Sequence, residues 1–123
     1  MKNDEEDRVD TGKIMWPAFI KFDGDNGLLY IEDQQQWLND SDLHSARYEA
    51  RDRLIDSTGE IFSLSQNSQG QNALIKTGTR CSIASAVGYV QAYAAEENYC
   101  CSAKIHALSF NEVLTMISDL DKA

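Results

Sequence analysis

Three residues in the second half of the chain have side chains that could together perform nucleophilic catalysis: Cys81, His106 and Asn111. A thiolate can attack a carbonyl carbon, an imidazole can accept the thiol proton, and an amide can orient the imidazole. Ser82 is a good cap for a helix that begins directly after Cys81. Because a helix N-terminus lowers the pKa of a neighbouring thiol, the pattern predicts a reactive Cys81.

The order cysteine, histidine, asparagine resembles that of papain-like cysteine hydrolases, in which the nucleophile begins a helix and the histidine lies on a strand. The glycine-rich surroundings of the papain cysteine are absent here, and Cys81 lies much closer to His106 along the chain than in papain. A small buried cysteine is the simpler interpretation. We therefore predict no catalytic residues and no enzyme activity, with a small cysteine hydrolase using Cys81 and His106 as the alternative.

Metal binding has less support in the residue spacing. The candidates Cys81, Cys100, Cys101 and His106 contain neither a CxxC nor an HxxxH pair, and adjacent cysteines diverge on a strand. Residues 23–27 (DGDNG) begin like a calcium loop, but the glycine and glutamate that such a loop requires further along are missing. The sequence therefore predicts a hairpin turn at 23–27, with no metal and no cofactor.

Acidic residues are distributed unevenly along the chain. The formal net charge is -9, and neither lysine nor arginine occurs between Lys21 and Arg47. Residues 1–60 carry 15 acidic and 7 basic residues, a net of -8, whereas residues 61–123 carry 5 and 4, a net of -1. An acidic surface repels nucleic acid and attracts basic proteins. We therefore expect a domain that binds a basic protein, with no direct nucleic-acid contact and no membrane contact.

The predicted partner-binding residues combine carboxylates from this segment with one aromatic side chain: Asp23, Asp25, Glu32, Asp33, Trp37, Asp40 and Asp42. The carboxylates would steer a basic partner, and Trp37 would anchor it as an interface hot spot. The alternative for Trp37 is that it docks its loop on the core together with Leu38. A nucleic-acid mimic is a further alternative, although the carboxylates are not regularly spaced.

Strands in the first part of the chain and helices in the second must position these residues. Alternating apolar side chains predict a strand over 14–22, with one face formed by Trp16, Ala18, Ile20 and Phe22. Turn signals separate further predicted strands at 28–32, 47–55, 60–64 and 73–76, and a short helical turn and loop covers 33–45.

The second half has the pattern of two helices separated by a strand. Small apolar residues at helical spacing predict a helix over 82–97 that Asn98 ends, and residues 99–108 are predicted to form a strand. Ser109 and Glu112 form a capping box for the last helix. We predict an α+β fold, a mostly antiparallel sheet of about five or six strands with two main helices packed on one face.

The composition predicts a flexible acidic lead-in over residues 1–13 and a single α+β domain over 14–123. No apolar stretch is long enough for a membrane span, and the first residues lack the apolar core of a secretory signal. Three cysteines, two of them adjacent, do not suit a disulfide framework. We therefore expect a cytoplasmic protein that is a monomer or weak dimer.

The segments WPAFIKFDGDNGLLYI, RLIDSTGEIFSL and CCSAKIHALSF, with the alanine-rich helix before the last, resemble a small uncharacterised family of bacterial cytosolic domains. The resemblance spans roughly residues 16–120, rests on core and turn patterns, and implies no catalytic residues. In size, acidity and layout the chain is also similar to immunity proteins of bacterial toxin systems. That analogy implies an inhibitor that neutralises a basic toxin, such as a nuclease domain, by occluding its active site.

Overall fold

The computed structural model describes residues 14–40, 43, 48–66, 72–98 and 104–122, so the predicted lead-in over 1–13 falls outside the described ranges. The strands in these ranges are β1 (Ala18–Lys21), β2 (Leu28–Ile31), β3 (Arg53–Asp56), β4 (Glu60–Gln66) and β5 (Asn72–Arg80). The helices are α1 (Gln34–Asn39), which follows β2, and α2 (Ile83–Glu96) and α3 (Phe110–Lys122), which follow β5.

The strands form one antiparallel sheet in the order β2-β1-β3-β4-β5. Strand β1 lies between β2 and β3, so Phe19 is opposite Tyr30 on one side and opposite Ile55 on the other. The connection through α1 brings β3 beside β1 instead of beside β2. This order leaves β2 and β5 as the two edge strands.

Each face of the sheet carries its own apolar cluster. Ala18 and Ile20 of β1 pack with Trp37 of α1 on the first face, where Trp16 and Phe22 lie against the same cluster. These residues alternate along the strand, as the sequence predicted. The rest of this cluster comes from a residue before β1, a residue after α1 and the other strands: Ile14, Leu43, Ile31, Leu54, Phe62, Leu64 and Leu74.

The two long helices cover the second face. Phe19 of β1 and Ile55 of β3 point to this side, and they pack with the apolar stripes of α2 and α3. The stripe residues in this cluster are Ala86, Val90, Val113, Leu114 and Ile117. The predicted α+β fold, with two main helices on one face of an antiparallel sheet, is confirmed.

Local signals correctly place both ends of α2 and the start of α3. Ser82 caps α2, because its Oγ accepts a backbone N–H of the first turn at 3.0 Å. Asn98 follows the end of α2 with a φ of 62°, a left-handed conformation that stops a helix. At α3 the Ser109 Oγ accepts the Glu112 N–H at 3.2 Å, and the Glu112 carboxylate accepts the Leu108 N–H at 2.7 Å.

The strand predicted over 99–108 is wrong where the structure can be compared with it. Residues 104–108 belong to no strand, and residues 99–103 are outside the described ranges. The Gln91 side chain of α2 donates to the carbonyl of Ile105 at 2.9 Å, and Ile105 packs against the helix-covered cluster. A side chain of α2 therefore satisfies the backbone here, in place of a neighbouring strand.

The third predicted strand begins later than expected, at Arg53 in place of residue 47. Buried Asp52 explains this start, because its carboxylate accepts the backbone N–H groups of Asp23 and Glu49, each at 2.8 Å. These bonds fold the residues before β3 into a turn and tie that turn to the end of β1. Strand β5 is longer than the predicted 73–76, since its ladder with β4 continues past an irregularity in the register.

Candidate functional site

The positions of the predicted partner-binding carboxylates in the sequence do not by themselves place these groups on one surface. Asp25 lies in the turn before β2, whereas Glu32 and Asp33 follow the end of β2. The strand has 4 residues, and at about 3.3 Å per residue it holds these groups on the order of 15 Å apart. They can act as one site only if another helix or strand places a carboxylate between them.

Asp121 of α3 fills that gap. One oxygen of its carboxylate accepts the backbone N–H of Tyr30, in the middle of β2, at 3.0 Å. The other oxygen accepts the Tyr93 hydroxyl at 2.5 Å. At the hairpin end, Glu96 of α2 adds a further carboxylate, 3.5 Å from the Asn26 amide nitrogen. We call the resulting row the acidic edge: Asp25, Glu32, Asp33, Glu96 and Asp121.

No ion pair among the described residues neutralises the acidic edge. Among the described residues, the ion pair within 4.0 Å joins Arg80 to Glu60 at 3.6 Å, and it involves no member of the edge. Like Asp121, two further members accept backbone N–H groups: Asp33 caps α1 by accepting the Gln36 N–H at 2.9 Å, and Asp25 accepts the Gly27 N–H at 2.8 Å. The backbone therefore fixes these carboxylates in place before any partner arrives.

Side chains also cap the hydrogen-bonding groups along the outer side of β2. The Tyr30 N–H donates to Asp121, and the Glu32 N–H donates to the Gln36 side chain at 2.8 Å. Unpaired N–H groups on an edge strand invite another strand to add to the sheet. Because these two N–H groups are already bonded, a partner would bind the acidic edge through electrostatic attraction more readily than by adding a strand to the sheet.

Two tyrosines contact the acidic edge, Tyr93 through Asp121 and Tyr30 through Glu32. The Tyr30 hydroxyl is 3.4 Å from a Glu32 carboxylate oxygen. Partial burial, and then the Glu32 charge, raise the pKa of Tyr30. The hydroxyl therefore stays protonated at neutral pH and is able to donate.

The predicted role of Trp37 as a surface anchor is wrong. Its side chain is 2% exposed and packs in the cluster on the first face of the sheet. The alternative, in which Trp37 docks its segment on the core, is confirmed, whereas Leu38 is 49% exposed. Burying the large indole against aliphatic side chains is favourable, and the short helix α1 presents it inward.

Of the other predicted contact residues, Asp23 and Asp40 are not part of the acidic edge, and Asp42 lies outside the described residues. Asp40 ends α1, where its backbone N–H donates to the Gln36 carbonyl at 3.0 Å, and its charge acts on Tyr48. Asp23 lines a groove together with three basic residues. Asp42 is one of the residues that the structure does not describe.

Cys81 has the environment of a buried structural cysteine. Burial raises the pKa of its thiol, so the expected lowering by the helix N-terminus is wrong. The Sγ atom donates to the Ser82 carbonyl at 3.3 Å. His106 and Asn111 are exposed, and within the described ranges no hydrogen bond joins either of them to Cys81. The described residues also contain no group of three or more side chains able to hold a metal ion.

Sequence reasoning missed Asp121 because it lies in the half of the chain that carries little net charge. One signal was available in the spacing. Val113 and Ile117 are buried members of the α3 stripe, and Asp121 follows Ile117 by four positions. A carboxylate at the next position of an apolar stripe faces the same side as that stripe, which indicates a contact with the sheet.

None of the helices in the described ranges combines the length and the apolar character that a bilayer crossing requires.

Comparison with known proteins supports this fold. A search of the curated proteins finds no match. An NMR structure of a protein from Shewanella amazonensis is similar, with a TM-score of 0.64 and 20% identity over 88% of this chain and 90% of that one. A family model described as a protein structure with unknown function matches residues 16–117, and the chain therefore belongs to that family, DUF4144.

Proposed function

We propose that this protein is a non-enzymatic binding domain that receives a basic protein on its acidic edge. The observation that carries the proposal is the Asp121 carboxylate on the Tyr30 N–H, which joins acidic groups at the two ends of β2. A continuous row of like charges attracts a basic surface more strongly than the same charges scattered over the protein. The burial of Cys81, which raises the pKa of its thiol, favours binding over catalysis.

Electrostatic attraction at this edge would speed encounter, and its strength would fall with salt. Charge alone holds complexes weakly, so an apolar contact must supply part of the affinity. Since Trp37 is buried, Tyr30 replaces it in the proposal as an aromatic residue at the acidic edge. Tyrosine suits this position because its ring packs against a partner while its hydroxyl stays hydrogen-bonded.

More specifically, we propose that the protein inhibits a basic toxin or nuclease domain in the cytoplasm, as an immunity protein does. Its support is the small size, the net charge of -9 and the absence of a catalytic signature in the sequence. An inhibitor of this kind covers the basic groove that normally holds a nucleic-acid substrate. A nucleic-acid mimic would use the same edge, with its carboxylates in the place of phosphates.

Affinity capture with matched variants tests the proposal. The bait proteins are the unaltered chain, a double variant Glu32→Gln with Asp121→Asn, and a control double variant Glu49→Gln with Asp119→Asn. Each double variant removes two exposed acidic charges, but the control leaves the acidic edge intact. Extracts are passed over each bait at low and at high salt.

Stoichiometric capture of one basic protein by the unaltered and control baits, with loss in the edge variant and at high salt, supports the proposal. Equal capture by both double variants would show that the acidic edge is not the binding surface. If double-stranded DNA displaces the captured protein, the partner binds nucleic acid through the surface that the inhibitor covers.

A further inference from the structure

A cationic groove of about 340 Å³ opens beside the C-terminal end of β1, in a protein whose net charge is -9. Its basic lining residues are Lys21, Arg51 and Arg53, and the acidic residue that lines it is Asp23. The groove therefore carries three formal positive charges and one negative charge. It is separate in chemistry from the acidic edge, and the proposed function makes no use of it.

The sheet register places two of these cations side by side. Lys21 of β1 lies directly opposite Arg53 of β3. Lys21 follows Phe19 by two positions, and Arg53 precedes Ile55 by two. Phe19 and Ile55 lie on the helix-covered face, so the Lys21 and Arg53 side chains leave the sheet on that face too. Directly opposed residues of an antiparallel pair have Cβ atoms about 5 Å apart, and like charges at this position destabilise a sheet. A bound anion would offset that repulsion.

Contacts within the described residues leave these charges unneutralised. The Lys21 ammonium donates to two backbone carbonyls at 2.8 and 2.6 Å. One guanidinium nitrogen of Arg53 donates to two other backbone carbonyls at 2.7 and 2.9 Å. These bonds orient the side chains while leaving the other donors of Arg53 free of described partners. Arg51 is exposed and has no hydrogen bond or ion pair with the described residues.

The rest of the groove is apolar and aromatic. Ile55 belongs to the helix-covered cluster, Ile61 packs against it, and Phe22 and Tyr89 complete the lining. The Lys21 ammonium is 5.5 Å from the centre of the Tyr89 ring, a cation–π contact. Burial, and then the nearby Cys81, raise the pKa of Tyr89, so its hydroxyl is a hydrogen-bond donor at neutral pH. A ligand here would contact positively charged side chains on one side and apolar or aromatic side chains on the other.

We propose that this groove binds a small organic anion, a phosphate ester or carboxylate on an aromatic or aliphatic body. The groove has the volume of a small-molecule site. The anionic group would contact Arg51, Arg53 and Lys21, because guanidinium groups bind phosphate and carboxylate oxygens in pairs. The body of the ligand would lie over Ile55 and Ile61 beside the Tyr89 ring. This site would give the domain a second, small-molecule activity beyond the proposed protein binding.

Titration of the isotope-labelled full chain, followed by backbone amide NMR, tests the proposal. The probes are phenyl phosphate, inorganic phosphate and phenol. We expect saturable shifts with phenyl phosphate at residues 51–55, 61 and 89, weaker binding of inorganic phosphate, and no saturable shifts with phenol. Shifts spread over the surface, or none with phenyl phosphate, would overturn the site. Equal affinity for the two phosphates would overturn the apolar part of the proposal.

Variants separate binding from folding. Arg53→Gln and Arg51→Gln should each weaken phenyl phosphate binding by about tenfold, since each removes a charge-assisted contact. Lys104→Gln removes one exposed positive charge that does not line the groove, and should bind as the unaltered chain does. Because Arg51 has no partner among the described residues, its variant should unfold at the same temperature. Unchanged affinity in Arg51→Gln and Arg53→Gln would overturn the proposal.

Discussion

The Asp121 carboxylate accepts the backbone N–H of Tyr30 at 3.0 Å, although 91 positions separate the two residues in the chain. The bond ties α3 to the outer side of edge strand β2. It satisfies an N–H that no strand pairs with among the described residues, and it places negative charge at the centre of the acidic edge. Fold stability and the proposed binding thus depend on the same side chain.

Asp121→Asn should slow association with a basic probe, such as a lysine-rich peptide, several-fold at low salt. An asparagine oxygen can still accept the Tyr30 N–H, so the free energy of unfolding should fall by only about 1 kcal/mol. Asp119→Asn is the matched control, since it removes an exposed charge two positions away on the same helix. Stopped-flow association at two salt concentrations measures the effect. An equal slowing by both variants would contradict a specific role for Asp121.

Tyr48 should make stability depend on pH in alkaline solution. Burial, and then the charges of Asp52 and Asp40, raise the pKa of Tyr48 from 10.0 to about 12. Because the folded state holds this proton more tightly, the stabilisation is complete below pH 10 and is lost as the pH rises toward 12. Urea unfolding across this range measures it.

Tyr48→Phe provides the comparison for that measurement. The variant keeps the ring but loses the hydroxyl bond to the Leu43 carbonyl, 3.1 Å long, so its stability at neutral pH should be slightly lower. Its stability should fall less steeply above pH 10 than that of the unaltered chain. Identical pH profiles for the two proteins would show that Tyr48 does not titrate as described.

The Cys81 thiol should react slowly in the folded protein. Its raised pKa leaves less thiolate near neutral pH, and burial limits access to the sulfur. Alkylation by iodoacetamide, followed at Cys81 by peptide mass spectrometry, should be at least about tenfold slower in buffer than in urea. Faster reaction at Cys81 in the folded state would revive the cysteine hydrolase.

Gly59 and Gly78 form a matched pair for a test of packing. Both have positive φ, 90° and 82°. A Cβ at Gly59 would lie 2.9 Å from the Cys81 carbonyl oxygen and 2.9 Å from the Phe110 ring, whereas a Cβ at Gly78 would meet nothing within 4 Å. Gly78→Ala should therefore cost about 1 kcal/mol from backbone strain alone.

Gly59→Ala should cost at least about 2 kcal/mol more than Gly78→Ala, because it adds a clash where the Asp56–Gly59 turn meets the start of α3. Chemical denaturation measures both variants. Equal losses of stability would show that the close approach of Gly59 to Phe110 is relaxed at little cost.

Short-range patterns in the sequence predicted most of the secondary structure. The alternation at Ala18, Phe19 and Ile20 follows from strand geometry, so both faces of β1 could be assigned before the fold was known. The caps at Ser82 and Ser109 depend on residues three positions apart. The strand predicted over 99–108 was wrong over its described part, residues 104–108, because Ile105 and Ala107 pack against the helix-covered cluster. A local pattern does not distinguish this packing from pairing in a sheet.

The sequence by itself determined the net charge of -9, the long segment without basic residues and the two-faced strands, since these depend on composition and on neighbours along the chain. Only the tertiary structure decided that Trp37 is buried, that Asp121 meets Tyr30, and that Lys21 lies opposite Arg53. The physical reason is that packing of the helices and strand register bring together residues far apart in sequence. No local propensity carries that information.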